Sequence, residues 1–162
     1  MQSLPSSVSP AQGLHFIISD HVPPMNPAGD CSLHILRRFP SGVFVDPYEL
    51  EQRQLDNVGP RFKVWGETDL ELPVSAVSEG SLLLLGPVMS GSQVDLPIHA
   101  RYPLPSWNTS HVTIKLESAR LLIVCKSDGE FVVALLTFNK LTTSHRRQYP
   151  KARKTRQSIR TV

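Results

Sequence analysis

Alternation of apolar and polar residues predicts a fold built largely from β-strands. The clearest example runs from residue 94 to 102, where five apolar side chains alternate with Asp95, Pro97, His99 and Arg101. Since successive side chains of a strand point to opposite faces, this period of two places the apolar set on one side of a sheet. Pro97 cannot donate a backbone hydrogen bond, so we expect this strand at the edge of its sheet.

Similar signals recur along the chain and predict further strands. The candidates are residues 14–19, 33–36, 43–45, 61–65, 81–85, 112–116, 121–125 and 131–138. Asp128-Gly129 between the last two is typical of a tight hairpin turn. Short strands separated at close intervals by turn residues predict an all-β fold, either an antiparallel β-sandwich or a barrel-like sheet.

One short helix is predicted near residues 47–54. Pro47 suits the first helical position, where its missing N–H is not needed, and Asp46 before it is suited to cap the helix. Glu49 and Glu51 then fall in the first turn, where the helix dipole favours acids. The 14 prolines of the chain argue against long helices.

Charge and composition divide the chain into three parts. Residues 1–13 are rich in Ser, Pro and Gln and are predicted to be disordered, ahead of a β domain at 14–140. The net charge is +3, yet the last eighteen residues carry seven basic and no acidic side chains. The remaining 144 residues have ten basic against fourteen acidic side chains, a net charge of −4. Residues 141–162 therefore form a basic tail, predicted to be disordered and solvated.

Patterns typical of catalysis or metal binding are missing from the sequence. No serine lies in a G-x-S-x-G elbow, and no phosphate-binding loop occurs. The six histidines show no short ligand spacing with one another or with a cysteine. Glu67, Asp69 and Glu71 would share one face of a strand, which is either solvated or suited to a hard cation. We predict no enzyme, no cofactor and no metal site.

Cysteine content and targeting signals bear on the cellular compartment. Cys31 and Cys125 either form a disulfide in an oxidising compartment or remain two buried thiols. No apolar run approaches the roughly 20 residues of a transmembrane helix, and the first residues lack a secretory signal pattern. Asn108 begins an Asn-Thr-Ser acceptor sequence for N-glycosylation. That acceptor would be usable if the chain enters the secretory lumen.

Four motifs resemble the luminal domain of the phosphatidylinositol-glycan biosynthesis class X (PIG-X) family. They are PSGVFVDPYEL at residues 40–50, DLELP at 69–73, LPIHARY at 96–102 and LLIVC at 121–125. Cys31 precedes the first motif by nine residues, as a cysteine does in that family. Order and approximate spacing agree across residues 14–125.

The resemblance implies a role without catalysis. Members of the family are the stabilising subunit of glycosylphosphatidylinositol (GPI) mannosyltransferase I, which makes the first mannose transfer of GPI-anchor biosynthesis. We therefore expect a PIG-M-type catalytic subunit as partner, on the luminal side of the endoplasmic reticulum membrane, with membrane association through that partner. The alternative is a soluble, nucleic-acid-associated or other non-reticulum protein directed by the basic tail.

Eight side chains are candidates for contact with the partner. An edge strand offers unpaired backbone groups to a partner strand, and an exposed tyrosine is a common interface residue. The alternative is structural: Asp46 only caps the helix, and Arg101 only pairs with Asp95 or Glu71. The candidates are Asp46, Pro47, Tyr48, Glu49, Asp95, His99, Arg101 and Tyr102.

Overall fold

The fold is built from antiparallel β-sheets, which confirms the all-β prediction. The computed structural model describes residues 4–105, 112–127 and 130–136. Within these ranges the α-helix α1 extends from Pro47 to Leu55, as predicted, and a 3-10 turn covers Val74–Ala76. No helix in these ranges is long and apolar enough to cross a bilayer. The strands are β1 (Ser6–Ser9), β2 (His15–His21), β3 (Cys31–Phe39), β4 (Val43–Phe44), β5 (Phe62–Gly66), β6 (Ser81–Val88), β7 (Gln93–Ala100), β8 (Arg120–Ser127) and β9 (Glu130–Leu135).

Two sheets face each other across one hydrophobic core. The four-stranded sheet has the order β1-β2-β7-β4, and the five-stranded sheet has the order β5-β6-β3-β8-β9. Buried side chains of both sheets join in one cluster, so the architecture is a sandwich. The cluster includes Ile18, Leu96 and Ile98 of the first sheet and Ile35, Leu83 and Leu121 of the second.

A disulfide joins two neighbouring strands of the five-stranded sheet. Cys31 of β3 lies opposite Cys125 of β8, and their sulfur atoms are bonded. The two cysteines are 94 residues apart in sequence. Closing a loop of this length contributes roughly 4–5 kcal/mol in the chain-entropy account. Of the two alternatives left open by the sequence, the structure has the disulfide.

A buried ion pair links the two sheets. Arg37 of β3 is 3% exposed and Asp20 of β2 is 0% exposed, and Arg37 Nη2 donates to Asp20 Oδ1. The Ser6 hydroxyl of β1 donates to the same carboxylate oxygen. Arg37 Nη1 also donates to the carbonyl of Glu117 at 3.0 Å. An uncompensated charge in a core is strongly destabilising. The bonds of this pair therefore hold β1, β2, β3 and the segment at Glu117 in one arrangement.

The N-terminal segment differs from the predicted disordered stretch at 1–13. Leu4 is 3% exposed within the core, and β1 pairs along its length with β2. The prediction relied on composition, which is poor in apolar residues here. Backbone pairing and one buried leucine are sufficient to hold this segment on the sheet edge.

The structure describes residues 112–116, and the strand predicted there is absent. Residues 112–119 form no ladder. Ile114 and Leu116 nevertheless pack against the core, while Lys115 and Glu117 are exposed. The apolar–polar alternation of this segment therefore reflects the burial of one side of the chain. It does not indicate pairing with a neighbouring strand.

The edge position predicted for residues 94–102 is wrong for β7 as a whole, since the strand lies between β2 and β4. β4 pairs with only its last two residues. The N–H of Ala100 donates to Leu14 on the β2 side, and that of Arg101 donates to Gly42 on the β4 side. By alternation, the nitrogen of Pro97 also faces the β4 side, beyond the end of β4. The proline therefore displaces no ladder bond.

Replacing Arg37 by methionine should leave Asp20 as an unpaired carboxylate in the core. We expect Arg37→Met to lower the free energy of unfolding by about 3–5 kcal/mol. Urea titration followed by far-ultraviolet circular dichroism measures this change.

The matched control is Arg38→Met, the same substitution at the neighbouring exposed residue, with an expected change below about 0.5 kcal/mol. The double variant Asp20→Leu/Arg37→Met removes both charges and should recover part of the loss. Equal unfolding midpoints for Arg37→Met and Arg38→Met would contradict the role assigned to the pair.

Candidate partner-binding site

The N-terminus of α1 is held by its own cap. Asp46 Oδ1 accepts the backbone N–H groups of Tyr48 at 2.8 Å and Glu49 at 3.3 Å. Pro47 stands in the first turn, where its missing donor costs nothing. Capping therefore accounts for Asp46 and Pro47, whereas Tyr48 is 74% exposed and projects into solvent.

His99 connects α1 to β7 and β2. Its Nε2 lies 2.8 Å from Glu49 Oε2, its Nδ1 lies 2.7 Å from the Nδ1 of His15, and its ring stacks on Phe44. A neutral His99 that donates its Nε2 proton to Glu49 accepts at Nδ1. The proton between the two imidazoles then belongs to His15. In that neutral form Glu49 selects the tautomer of both rings, and its bond to His99 ties the helix to the sheet.

Arg101 is buried and holds a loop in place. It is 3% exposed, and its Nη1 donates to the carbonyls of Asp69 at 2.6 Å and Leu72 at 2.9 Å. Its guanidinium lies 4.8 Å from the centre of the Phe44 ring, in a cation–π contact. Burial lowers the pKa of the Arg101 guanidinium, and the carboxylates of Glu67 and Asp69 oppose this effect. The pairing with Asp95 or Glu71 considered from sequence is not made.

The loop that Arg101 supports borders an open, acidic groove beside α1. Glu67 Oε1 accepts the N–H of Asp69 at 2.8 Å, and Asp69 Oδ1 accepts the N–H of Glu71 at 2.9 Å. These carboxylates thus brace the loop backbone in a series of turns. In the described residues no group of three or more His, Cys, Asp or Glu side chains is arranged to hold a metal ion. The groove is lined by Pro47, Tyr48, Glu51, Gln54, Phe62, Glu67, Thr68, Asp69, Leu70 and Glu71.

Asp95 lies apart from Arg101 and from the groove. Asp95 is six residues before Arg101, about 20 Å away along an extended chain. Its carboxylate accepts from Ser19 at 2.6 Å and Gln93 at 2.7 Å, and these bonds lower its pKa. Its carbonyl accepts from Arg53 of α1 at 3.2 Å, which covers part of the β7 margin. Tyr102, by contrast, directly follows Arg101 and is 70% exposed, and its carbonyl accepts the N–H of Val74 at 3.2 Å, beside the loop that Arg101 supports.

Three predictions fall outside the described residues. They concern the glycosylation acceptor Asn108, the hairpin turn at residues 128–129 and the basic tail at 141–162. Ser127 lies opposite Glu130 where β8 and β9 pair, as expected for strands joined by two residues.

His99 contacts Glu49, His15 and Phe44, and sequence reasoning missed the last two. Phe44 lies in the first quoted motif but was assigned no role, and His15 is 84 residues from His99. The β2–β7 register places His15 directly opposite His99. A strand pairing would have revealed the contact, but the sequence alone does not specify that pairing.

The fold and this site define a β-sandwich domain with an acidic groove beside α1 and two exposed tyrosines, Tyr48 and Tyr102. The chain belongs to the PIG-X / PBN1 family, whose profile matches residues 11–158.

Curated relatives come from fungi and mammals. The chain is 27% identical over 130 residues to "Protein pbn1" of Schizosaccharomyces pombe. This alignment covers 73% of the chain and 39% of that protein. It is 30% identical over 107 residues to the human "GPI alpha-1,4-mannosyltransferase I, stabilizing subunit", covering 64% of this chain and 41% of that protein. The rat protein of the same name is 31% identical, with 64% and 42% covered. The chain thus spans about two fifths of the length of these relatives.

Arg101→Ala should release the loop at residues 67–72 from the body of the domain. Loss of two charge-assisted bonds is expected to cost about 1.5–3 kcal/mol in the free energy of unfolding. Hydrogen exchange of the backbone amides in the loop should accelerate relative to those of β3. Arg61→Ala, at an exposed arginine, is the matched control and should leave exchange unchanged. Unaltered protection of residues 69–72 in Arg101→Ala would refute this role.

Proposed function

We propose that this chain is a non-catalytic stabilising subunit of GPI mannosyltransferase I. It would support the first mannose transfer of GPI-anchor biosynthesis by binding a PIG-M-type catalytic subunit. The observation that carries this proposal is the family match over residues 11–158, together with mammalian relatives named as that enzyme's stabilizing subunit.

The disulfide supports a location on the luminal side of the endoplasmic reticulum membrane. Disulfides form and persist in oxidising compartments such as the reticulum lumen. Cys31 and Cys125 are bonded across two neighbouring strands of the larger sheet, as expected for a chain that folds in such a compartment. In this account the chain meets the membrane through its partner.

A subunit that binds only the folded catalytic subunit stabilises it by mass action. Removing this chain from cells that depend on it should therefore lower the amount of catalytic subunit and of GPI-anchored proteins at the cell surface. Immunoblotting and flow cytometry measure the two quantities, and re-expression of the full chain should restore both. Normal levels of both after removal would overturn the proposal.

Tyr48 is the candidate residue best placed for direct contact, because its side chain is exposed and the α1 cap holds its backbone. We expect Tyr48→Ala to reduce co-purification of the catalytic subunit about tenfold, as for an interface tyrosine. Leu55→Ala, at an exposed residue of the same helix, should leave capture unchanged. Full capture by Tyr48→Ala at normal protein levels would exclude this tyrosine from the interface.

A further inference from the structure

The five-stranded sheet carries apolar side chains on the face that points away from the core. One face of a sandwich sheet normally packs inward while the other alternates to polar residues. Ladder pairing identifies the outward positions: Trp65 lies beside Leu82, Leu36 beside Leu84, and Leu122 beside Leu135. We call this surface the outer face. Its side chains are Lys63, Trp65, Leu82, Leu84, Ser32, His34, Leu36, Arg38, Arg120, Leu122, Val124, Lys126, Phe131, Val133 and Leu135.

Much of the apolar area of the outer face is accessible. Trp65 on β5 is 46% exposed, and Phe131, Val133 and Leu135 on β9 are 68%, 41% and 40% exposed. The leucines of the inner strands are half-buried beside one another, and they are not members of the core cluster. Apolar side chains therefore extend across the sheet from one margin to the other, which marks an interaction surface.

The charges of the outer face have one sign. Its charged side chains are Lys63, Arg38, Arg120 and Lys126, and among the described residues of this face none is acidic. The four-stranded sheet differs, because its outward positions include the hydrogen-bonded Ser19–Asp95 pair. Charge complementarity favours an occupant of the outer face that combines apolar area with acidic groups.

We propose that the outer face docks against an apolar, acid-rimmed surface of the catalytic subunit of GPI mannosyltransferase I. This inference rests on the proposed function and adds the surface and its chemistry. A sheet with paired strands presents a flat, fixed surface of the kind that packs against another protein layer.

The test compares two double variants of the full chain, each co-expressed with the catalytic subunit and captured from detergent extracts. Arg38→Glu/Val133→Ser reverses one charge of the outer face and replaces one exposed valine of that face by serine. Lys115→Glu/Val58→Ser makes one charge reversal and the same valine substitution at exposed residues elsewhere. We expect the outer-face variant to lose at least about tenfold in captured catalytic subunit, and the control to stay within about twofold of the wild type.

Folding is checked by the thermal unfolding midpoint of each purified variant. If the outer-face double variant unfolds early, the single variant Lys126→Glu replaces it, with Lys115→Glu as its control. Capture by the wild type together with equal capture by the outer-face variant overturns this inference and leaves the proposed function standing. Failure of the wild type to capture the catalytic subunit overturns the proposed function itself.

Two further measurements distinguish other occupants of the outer face. Flotation with phosphatidylserine–phosphatidylcholine vesicles tests a lipid surface, and analytical ultracentrifugation tests a second copy of the chain. Vesicle binding or self-association that the outer-face substitutions abolish, with capture of the catalytic subunit unchanged, would overturn the docking proposal.

Discussion

The arrangement of this sandwich depends on the ion pair between Arg37 and Asp20. Arg37 occupies an inward position of β3 between Ile35 and Phe39, where an apolar residue would ordinarily stand. A one-residue slip of β3 would turn the guanidinium away from Asp20 and leave a buried carboxylate uncompensated. The pair therefore selects one register of β3. That register also places Cys31 opposite Cys125 and decides which side chains form the outer face.

Local sequence rules predicted the helix and the strands better than they predicted how these elements pair and pack. The cap at Asp46 and the apolar alternation of β7 depend on neighbours a few residues away, so the helix and most strands were accessible from sequence. Arg37 gave no such signal, because a basic residue in an apolar stretch reads as an interruption of the inward pattern. Alternation also overestimated pairing at 112–116, since one-sided burial and strand pairing produce the same pattern.

The candidate site shows the same limit at the level of single side chains. Arg101 was assigned to a polar, solvent-facing side of a strand, but β7 ends at Ala100 and alternation no longer governs the next residue. A loop from elsewhere in the chain covers the guanidinium with its carbonyls. His99 does lie on the outward side, yet its contacts with Glu49 and His15 come from α1 and β2. Such contacts follow from the packing of distant segments, which the sequence leaves open.

The features that hold the five-stranded sheet together also bear on how it would bind. β3 at its centre is tied to β8 by the disulfide and to the other sheet by the ion pair. A surface fixed in this way loses little conformational entropy on association, so more of the free energy of apolar burial remains as affinity. The same apolar surface is unfavourable in water when it is unoccupied. In the proposed complex the chain would therefore gain stability as its partner does, and the stability of each protein would be linked to the presence of the other.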